Sequence, residues 1–200
     1  VGQGHTVFVI SWVNPDATLA EKTLDDYMLE GPLAALGAIE KATGEAKVNA
    51  IGYCIGGTLL AATLATMAAR KDERIPSATF LTTMIDFEDA GELAVFIDEE
   101  QLGALEAKMD ELGYLEGAEM ASTFNMMRGN DLIWSFVINN YLLGKDPFPF
   151  DLLYWNGDTT NLPARWHRDY LTQLYRDNML VVPGAISVAG TPIDLTQIHT

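Results

Sequence analysis

Gly52-Tyr53-Cys54-Ile55-Gly56-Gly57 places the chain's one cysteine between glycines, after the short apolar run Val48-Asn49-Ala50-Ile51 and before a stretch of Ala, Leu and Thr reaching Arg70. A strand, a sharp turn and a helix in that order form a nucleophile elbow, here with Cys in the position more often held by Ser. Such a turn forces its central residue into strained backbone angles, and the small residues Gly52 and Gly56, two before and two after, let the backbones pass, with Gly57 adjoining. Cys54 is then expected to stand exposed at a helix N-terminus, where the dipole favours negative charge, and the backbone N–H of Ile55 to face a developing oxyanion. A lone cysteine is by itself more often a core residue than a nucleophile, since free Cys is among the most buried types. The strand, the glycines and the small-residue helix occurring together make Cys54 the candidate nucleophile, and acyl transfer the chemistry.

A nucleophilic thiol needs a base, and the base an orienting acid. The three histidines are poor candidates for the base: His5 reads as a surface residue, His167 as a satisfied polar or interface residue in a helix, and His199 as part of a terminal segment. In this fold the order is nucleophile, acid, histidine, so the base is expected beyond Thr200. Asp86, after the strand that follows the elbow, reads as a turn residue before Phe87 rather than as the acid. One Cys and three scattered His offer no metal-ligand spacing, and Gly56-Gly57 lacks the Lys-Ser/Thr of a phosphate loop, so neither metal nor nucleotide cofactor is implied.

The elements that must hold this turn read as an α/β chain. Val7 to Val13 is expected to be a strand buried on both faces, Thr18 and Glu21 the capping box of the next helix, and Pro32 a kink in it, with Gly44 closing it. Strand 48–51, helix 56–70 and strand 77–84 continue the alternation of a mostly parallel sheet. The acidic run Asp98 to Glu119 holds eight acids with Lys108 as the only base and reads as a solvated helical face. Residues 1–90 are thus read as a partial core, 91–183 as a helical cap, and 184–200 as a return toward the core by a hairpin or strand. Lys+Arg 12 against Asp+Glu 28 leaves a net charge of −16, which argues against nucleic acid as a partner. The most apolar stretch, Leu132 to Leu143, is interrupted by Ser135, Asn139 and Asn140 and falls short of the roughly 20 residues of a bilayer span.

With these residues in place, the chain resembles the class I and class II polyhydroxyalkanoate synthases, which polymerise (R)-3-hydroxyacyl-CoA into storage polyester. The resemblance is carried by Gly4-His5-Thr6-Val7-Phe8, Ser11-Trp12-Val13-Asn14-Pro15, the Cys54 box, Asp86-Phe87, Gly91-Glu92-Leu93 and Val95-Phe96-Ile97-Asp98. It continues through Phe124-Asn125-Met126, Asn130-Asp131-Leu132-Ile133-Trp134, Asn139-Asn140-Tyr141-Leu142-Leu143-Gly144 and Leu153-Tyr154-Trp155-Asn156. It implies an α/β-hydrolase core with a helical cap, and it matches Cys54 to the cysteine that carries the acyl chain as a thioester. It places the catalytic Asp and His after Thr200, and the first strands with the second oxyanion donor before Val1, so residues 1–200 alone are expected to be inactive. Many members have Arg where Val13 stands.

The resemblance further implies a cytoplasmic homodimer associated with polyester granules, CoA released as product rather than held as a cofactor, and no transmembrane segment. Phe96, Met126, Met127, Trp134, Phe136 and Tyr141 are read as channel wall or as ordinary packing, and Phe148-Pro149-Phe150 with Trp155 equally as dimer surface. Arg128, Lys145, Arg165 and Arg168 are the candidate cations for CoA, or else solvated or ion-paired residues. Two other functions fit the same residues: a cysteine thioesterase or dienelactone-hydrolase-like enzyme with water as acceptor, and a non-catalytic polymer-granule protein.

Overall fold

The computed structural model describes residues 1–91, 97–147 and 151–200, with only the backbone at 152, 153 and 156. Asp16 accepts from both the N–H and the hydroxyl of Thr18, at 2.8 and 2.5 Å, and so caps a 3-10 turn, Ala17–Leu19. With Thr18 so engaged, the capping box expected at Thr18 and Glu21 forms one turn later. The Thr23 hydroxyl accepts from the Asp26 N–H at 3.4 Å and the Asp26 carboxylate from the Thr23 N–H at 2.9 Å, opening α1 (Leu24–Met28). Pro32 lies in a π-helical turn, Leu29–Leu33, which joins α1 to α2 (Ala34–Thr43). The widened turn accommodates a residue that has no N–H to offer the helix. Gly44, at φ 80°, ends α2.

β1 (Asn49–Tyr53), α3 (Ile55–Ala69) and β2 (Ser77–Leu81) form the unit that carries the elbow. The strands pair in parallel from Asn49↔Ser77 to Tyr53↔Leu81. Helix α3 is buried from Gly57 to Met67, on all sides, so it has the continuous small and apolar composition of a central helix rather than a stripe. Its Thr63 and Thr66 are tolerated there because their hydroxyls donate to the Leu59 and Ala62 carbonyls, at 2.7 and 2.9 Å. On one side α3 packs Leu59, Ala62 and Ala65 with Met28, Phe87, Leu174, Leu180 and Ile193; on the other Leu60, Leu64 and Met67 meet Leu36 and Ile75.

Val7 to Val13 forms no ladder, contrary to the expected buried strand, and every residue in it is exposed. A strand exists through its pairing, and the run is held chiefly at Trp12, whose ring lies 4.8 Å from that of Tyr27 and against Gly31. A side chain at Gly31 would collide with that ring.

Beyond residue 97 come α4 (Glu99–Leu112), β3 (Tyr114–Leu115), α5 (Gly117–Met127), π-helical turns at Asn130–Trp134 and Val137–Leu142, α6 (Asp151–Gly157), β4 (Leu162–Pro163) and α7 (Ala164–Asp169). A further π turn, Tyr170–Arg176, prolongs α7. β3 and β4 pair antiparallel, a contact that no sequence alternation announced, and a small core of Met109, Leu115 and Ala164 lies beside them. β5 (Ser187–Val188) and β6 (Thr191–Pro192) make a hairpin whose turn residues Ala189 and Gly190 both have positive φ. Arg70, just past α3, ties this hairpin to the helix by donating to the Ala189 carbonyl at 3.0 Å and the Thr191 hydroxyl at 2.9 Å.

Candidate active site

Cys54 is the N-cap of α3, with φ 52° and ψ −126°, and its side chain is exposed. No L-residue adopts these angles without strain, so the turn has to be held from outside. The Cys54 N–H extends the parallel ladder by donating to the Leu81 carbonyl at 3.0 Å, and the Cys54 carbonyl accepts from Gly57 at 2.9 Å and Thr58 at 3.3 Å. The backbone is thus tied to β2 on one side and to the first turn of α3 on the other. Ile55 is the first helical residue, and its N–H is among those for which a helix supplies no acceptor.

Among the three glycines, two are demanded by packing. A Cβ on Gly52 would lie 2.5 Å from the Gly57 Cα, and one on Gly57 would overlap the Thr83 side chain, 2.6 Å from its Cγ2. Gly56 differs: a Cβ there meets nothing within 4 Å. The close approach first assigned to the Gly52–Gly56 pair therefore falls on Gly52 and Gly57, because the strand crosses the helix at its third residue.

Tyr170 and Tyr175, from the far end of the chain, pack against the core that holds Leu59 of α3. Their rings stand edge to face with centroids 5.3 Å apart, and Phe87 lies 6.0 and 4.7 Å from them. Burial pushes both phenols above their ordinary pKa; contact with Tyr175 adds to the rise at Tyr170, whereas the hydrogen bond with Tyr170 works against it at Tyr175. Thr58, one helical turn after Cys54, meets the Tyr170 hydroxyl and donates its own proton to the Met84 carbonyl at 2.7 Å. Sequence reading missed this pair for a geometric reason. Residues five apart diverge by about 140° on an α-helix, but the π turn Tyr170–Arg176, with its longer hydrogen-bonded ring, brings them to one side. Asn178 fixes the end of that turn, accepting from the Phe87 N–H at 2.9 Å and donating to Asp86 at 2.8 Å. The Asn178 contact, with the Glu88 N–H, holds the Asp86 carboxyl below the usual range, in keeping with a turn residue.

The remaining candidates are dispersed. His5 and His199 are exposed. His167 is buried beside Tyr170 with Nδ1 unpartnered, and burial pushes its pKa down to about 4, which makes it a weak base near neutrality. Arg128 pairs with Asp131 at 2.5 Å, Arg165 with Asp169 at 3.3 Å, Arg168 with Asp110 and Glu106, and Lys145 donates to Asn139 at 3.0 Å. Three of the four cations are thus engaged by carboxylates. Met126, Trp134, Phe136 and Tyr141 are exposed and Met127 is half-buried. Trp155 is exposed as well. Phe96 and Phe148-Pro149-Phe150 lie outside the described residues. Among the described residues no group of His, Cys, Asp and Glu is placed to hold a metal, and no helix is long and apolar enough to cross a membrane.

A parallel strand–turn–helix with a positive-φ cysteine at its apex defines the class: residues 2–193 match the family of the alpha/beta hydrolase fold, and the chain belongs to it. The α/β-hydrolase reading of the sequence is therefore borne out. Within that family the likeness to polyhydroxyalkanoate synthases also holds. The poly(3-hydroxyalkanoate) polymerase subunit PhaC of Rhizobium meliloti is 56% identical over 198 residues, 99% of this chain and 32% of the relative. The poly(3-hydroxyalkanoate) polymerase of Methylorubrum extorquens is 55% identical over 99% of the chain and 33% of its own length. The subunit PhaC of Cupriavidus necator is 46% identical, with 99% and 34% covered. The chain spans about a third of the length of these relatives.

Proposed function

We propose that this chain carries the nucleophile of an acyltransferase that polymerises (R)-3-hydroxyacyl-CoA into polyhydroxyalkanoate. The observation that supports it most is the exposed Cys54 on a strained turn at the N-terminus of α3, in a chain similar over almost its whole length to poly(3-hydroxyalkanoate) polymerases. In the first step the Cys54 thiolate attacks the substrate's thioester carbonyl, the Ile55 N–H faces the oxyanion, and the C–S bond to CoA breaks with its electron pair, so that CoA leaves as its thiolate. One thioester is exchanged for another, and the acyl group stays activated. In the second step the 3-hydroxyl oxygen of the next unit attacks the Cys54 thioester, its proton passing to a general base, and the Cys54 thiolate is restored. None of His5, His167 and His199 is assigned that base. CoA is a product, so the scheme needs no cofactor.

On the same reading the protein is a cytoplasmic homodimer working at the polymer granule, and the region 91–183 caps the site. The exposed Leu132, Trp134, Phe136 and Leu142 offer an apolar surface to polyester or to a second subunit. In the full-length protein, Cys54→Ala is expected to abolish both the covalently bound acyl group and CoA release from (R)-3-hydroxybutyryl-CoA, read by intact-protein mass and free thiol. Retained turnover in Cys54→Ala would refute the assignment. Free hydroxy acid in place of polymer from the unsubstituted protein would convert the reading to a thioesterase.

A further inference from the structure

Thr82, the first residue after β2, has φ 46°. It is the one β-branched residue with positive φ among the described residues, and such a residue holds that conformation only where its surroundings impose it. It stands beside a second strained residue, since Leu81, just before it, pairs with Tyr53, just before Cys54. The tips of two neighbouring parallel strands thus carry both, at the end of the strands where open α/β sheets bind their ligands.

One carbonyl ties the two residues together. The Leu81 oxygen accepts from the Cys54 N–H at 3.0 Å, from the Thr82 hydroxyl at 2.8 Å and from the Thr83 hydroxyl at 3.2 Å. A carbonyl oxygen has two lone pairs for these three donors, so one hydroxyl is left over. The Cys54 N–H is fixed by the backbone, and Thr83 is half-buried with its side chain against Gly57. Thr82 is exposed, so its proton is the one free to turn to a ligand. Its oxygen lies two hydrogen bonds from the Cys54 nitrogen, close enough to meet the substituents of an acyl group on the Cys54 sulfur.

We propose that the Thr82 hydroxyl donates to the 3-oxygen of the acyl group carried on Cys54, and so favours 3-hydroxyacyl thioesters over unsubstituted ones. The inference rests on the acyltransferase reading and names the residue that reads the substrate class at that site. An acyl group without the 3-hydroxyl makes a unit from which the chain cannot be continued, so a polymerising site gains by refusing it. A donor suits the task at every stage. The 3-oxygen is a hydroxyl on the first unit and an ester oxygen, able only to accept, once the chain has grown. The Leu81 carbonyl takes the Thr82 proton back when no such oxygen is offered. An unsubstituted acyl group therefore leaves no polar atom orphaned, and the preference is moderate rather than absolute.

In the full-length protein, rapid-quench intact mass gives the rates at which Cys54 takes its first acyl group from (R)-3-hydroxybutyryl-CoA and from butyryl-CoA. The parent is expected to favour the hydroxylated substrate. Thr82→Val keeps the branched shape and removes the oxygen, and should cut the ratio of the two rates about five- to tenfold. Thr82→Ser keeps the hydroxyl and should hold the ratio within about twofold of the parent. An unchanged ratio in Thr82→Val would overturn the proposal, even with both rates lowered, since that marks a packing role. So would a parent that loads both substrates at one rate, and so would a ratio lost equally in Thr82→Ser, which traces it to shape. Should Thr82→Val fail to fold, by circular dichroism, Thr82→Gly decides by the same ratio, because glycine takes positive φ without strain. If the parent places no acyl group on Cys54 from either substrate, the acyltransferase reading fails and the proposal with it.

Discussion

At the residue scale the elbow depends on two glycines more than on the cysteine they flank. Gly52 faces the Gly57 backbone, which cannot move without displacing α3, whereas the obstacle at Gly57 is the Thr83 side chain. Gly52→Ala is therefore expected to cost about 2–4 kcal/mol, and Gly57→Ala about 1–3 kcal/mol as Thr83 shifts. Gly56→Ala enters open space in the first turn of a helix and should be neutral or stabilising by up to about 1 kcal/mol. Denaturant midpoints of the three variants check this ranking. A Gly52→Ala protein as stable as the parent would mean that the strand and helix do not cross this closely. A pattern of small residues around a nucleophile thus reveals that a crossing exists, but the crossing partner is set by the angle between strand and helix, which no local pattern encodes.

At the element scale, legibility followed the range of the interactions. Strand β1, helix α3 and strand β2 could be read directly, because short apolar runs with glycine punctuation and an all-apolar helix are local statements about burial. The helix start near Thr18 moved to Thr23 because Asp16 captures Thr18, a competition among three nearby polar residues that the spacing rule does not weigh. Pairing of β3 with β4 joins Leu115 to Leu162, too distant and too short to leave a period in the sequence. Helix α7 holds His167, buried against Tyr170, with Arg168 next to it engaged by Asp110 and Glu106 of α4. Its imidazole is held neutral down to about pH 4, while in the unfolded chain it titrates near 6.5. Above pH 6.5 both states are neutral and stability does not depend on this group. Between pH 6.5 and 4 the unfolded chain alone binds the proton, so stability falls with acidification, by about 3 kcal/mol across the window. The carboxylates Asp26 and Asp72, held below 3.8 by their hydrogen bonds, lose their contribution only at lower pH and do not obscure it. His167→Phe should flatten the dependence of the urea midpoint between pH 6.5 and 4; a slope unchanged by the substitution would place the titration elsewhere.

At the scale of the whole molecule, charge opposes the apolar surface. The β1–β2 sheet packs α3 on one side, yet Ile51 and Tyr53 of β1 and Leu81 of β2 are exposed, as are Val7, Phe8, Val9 and Val13 of the unpaired run. Parallel sheets are ordinarily covered on both faces, and an open edge beside exposed β-branched residues invites a second strand. Against this acts a net charge of −16, which keeps copies apart over distances set by ionic strength. The screening length is about 10 Å at 0.1 M salt and about 3 Å at 1 M, whereas apolar association is not weakened by salt and is strengthened by ions such as sulfate. A polypeptide of these 200 residues should therefore pass from small to large species on size-exclusion chromatography as sodium chloride rises from about 0.05 to 1 M, and dye binding to exposed apolar surface should decline in step. Substituting Ile51 and Leu81 by Lys and Thr, both outside the helix-facing core, should hold the small species to higher salt. A profile independent of salt, with the dye signal constant, would show that the exposed residues form no adhesive surface and that the run from Val7 to Val13 covers them in solution.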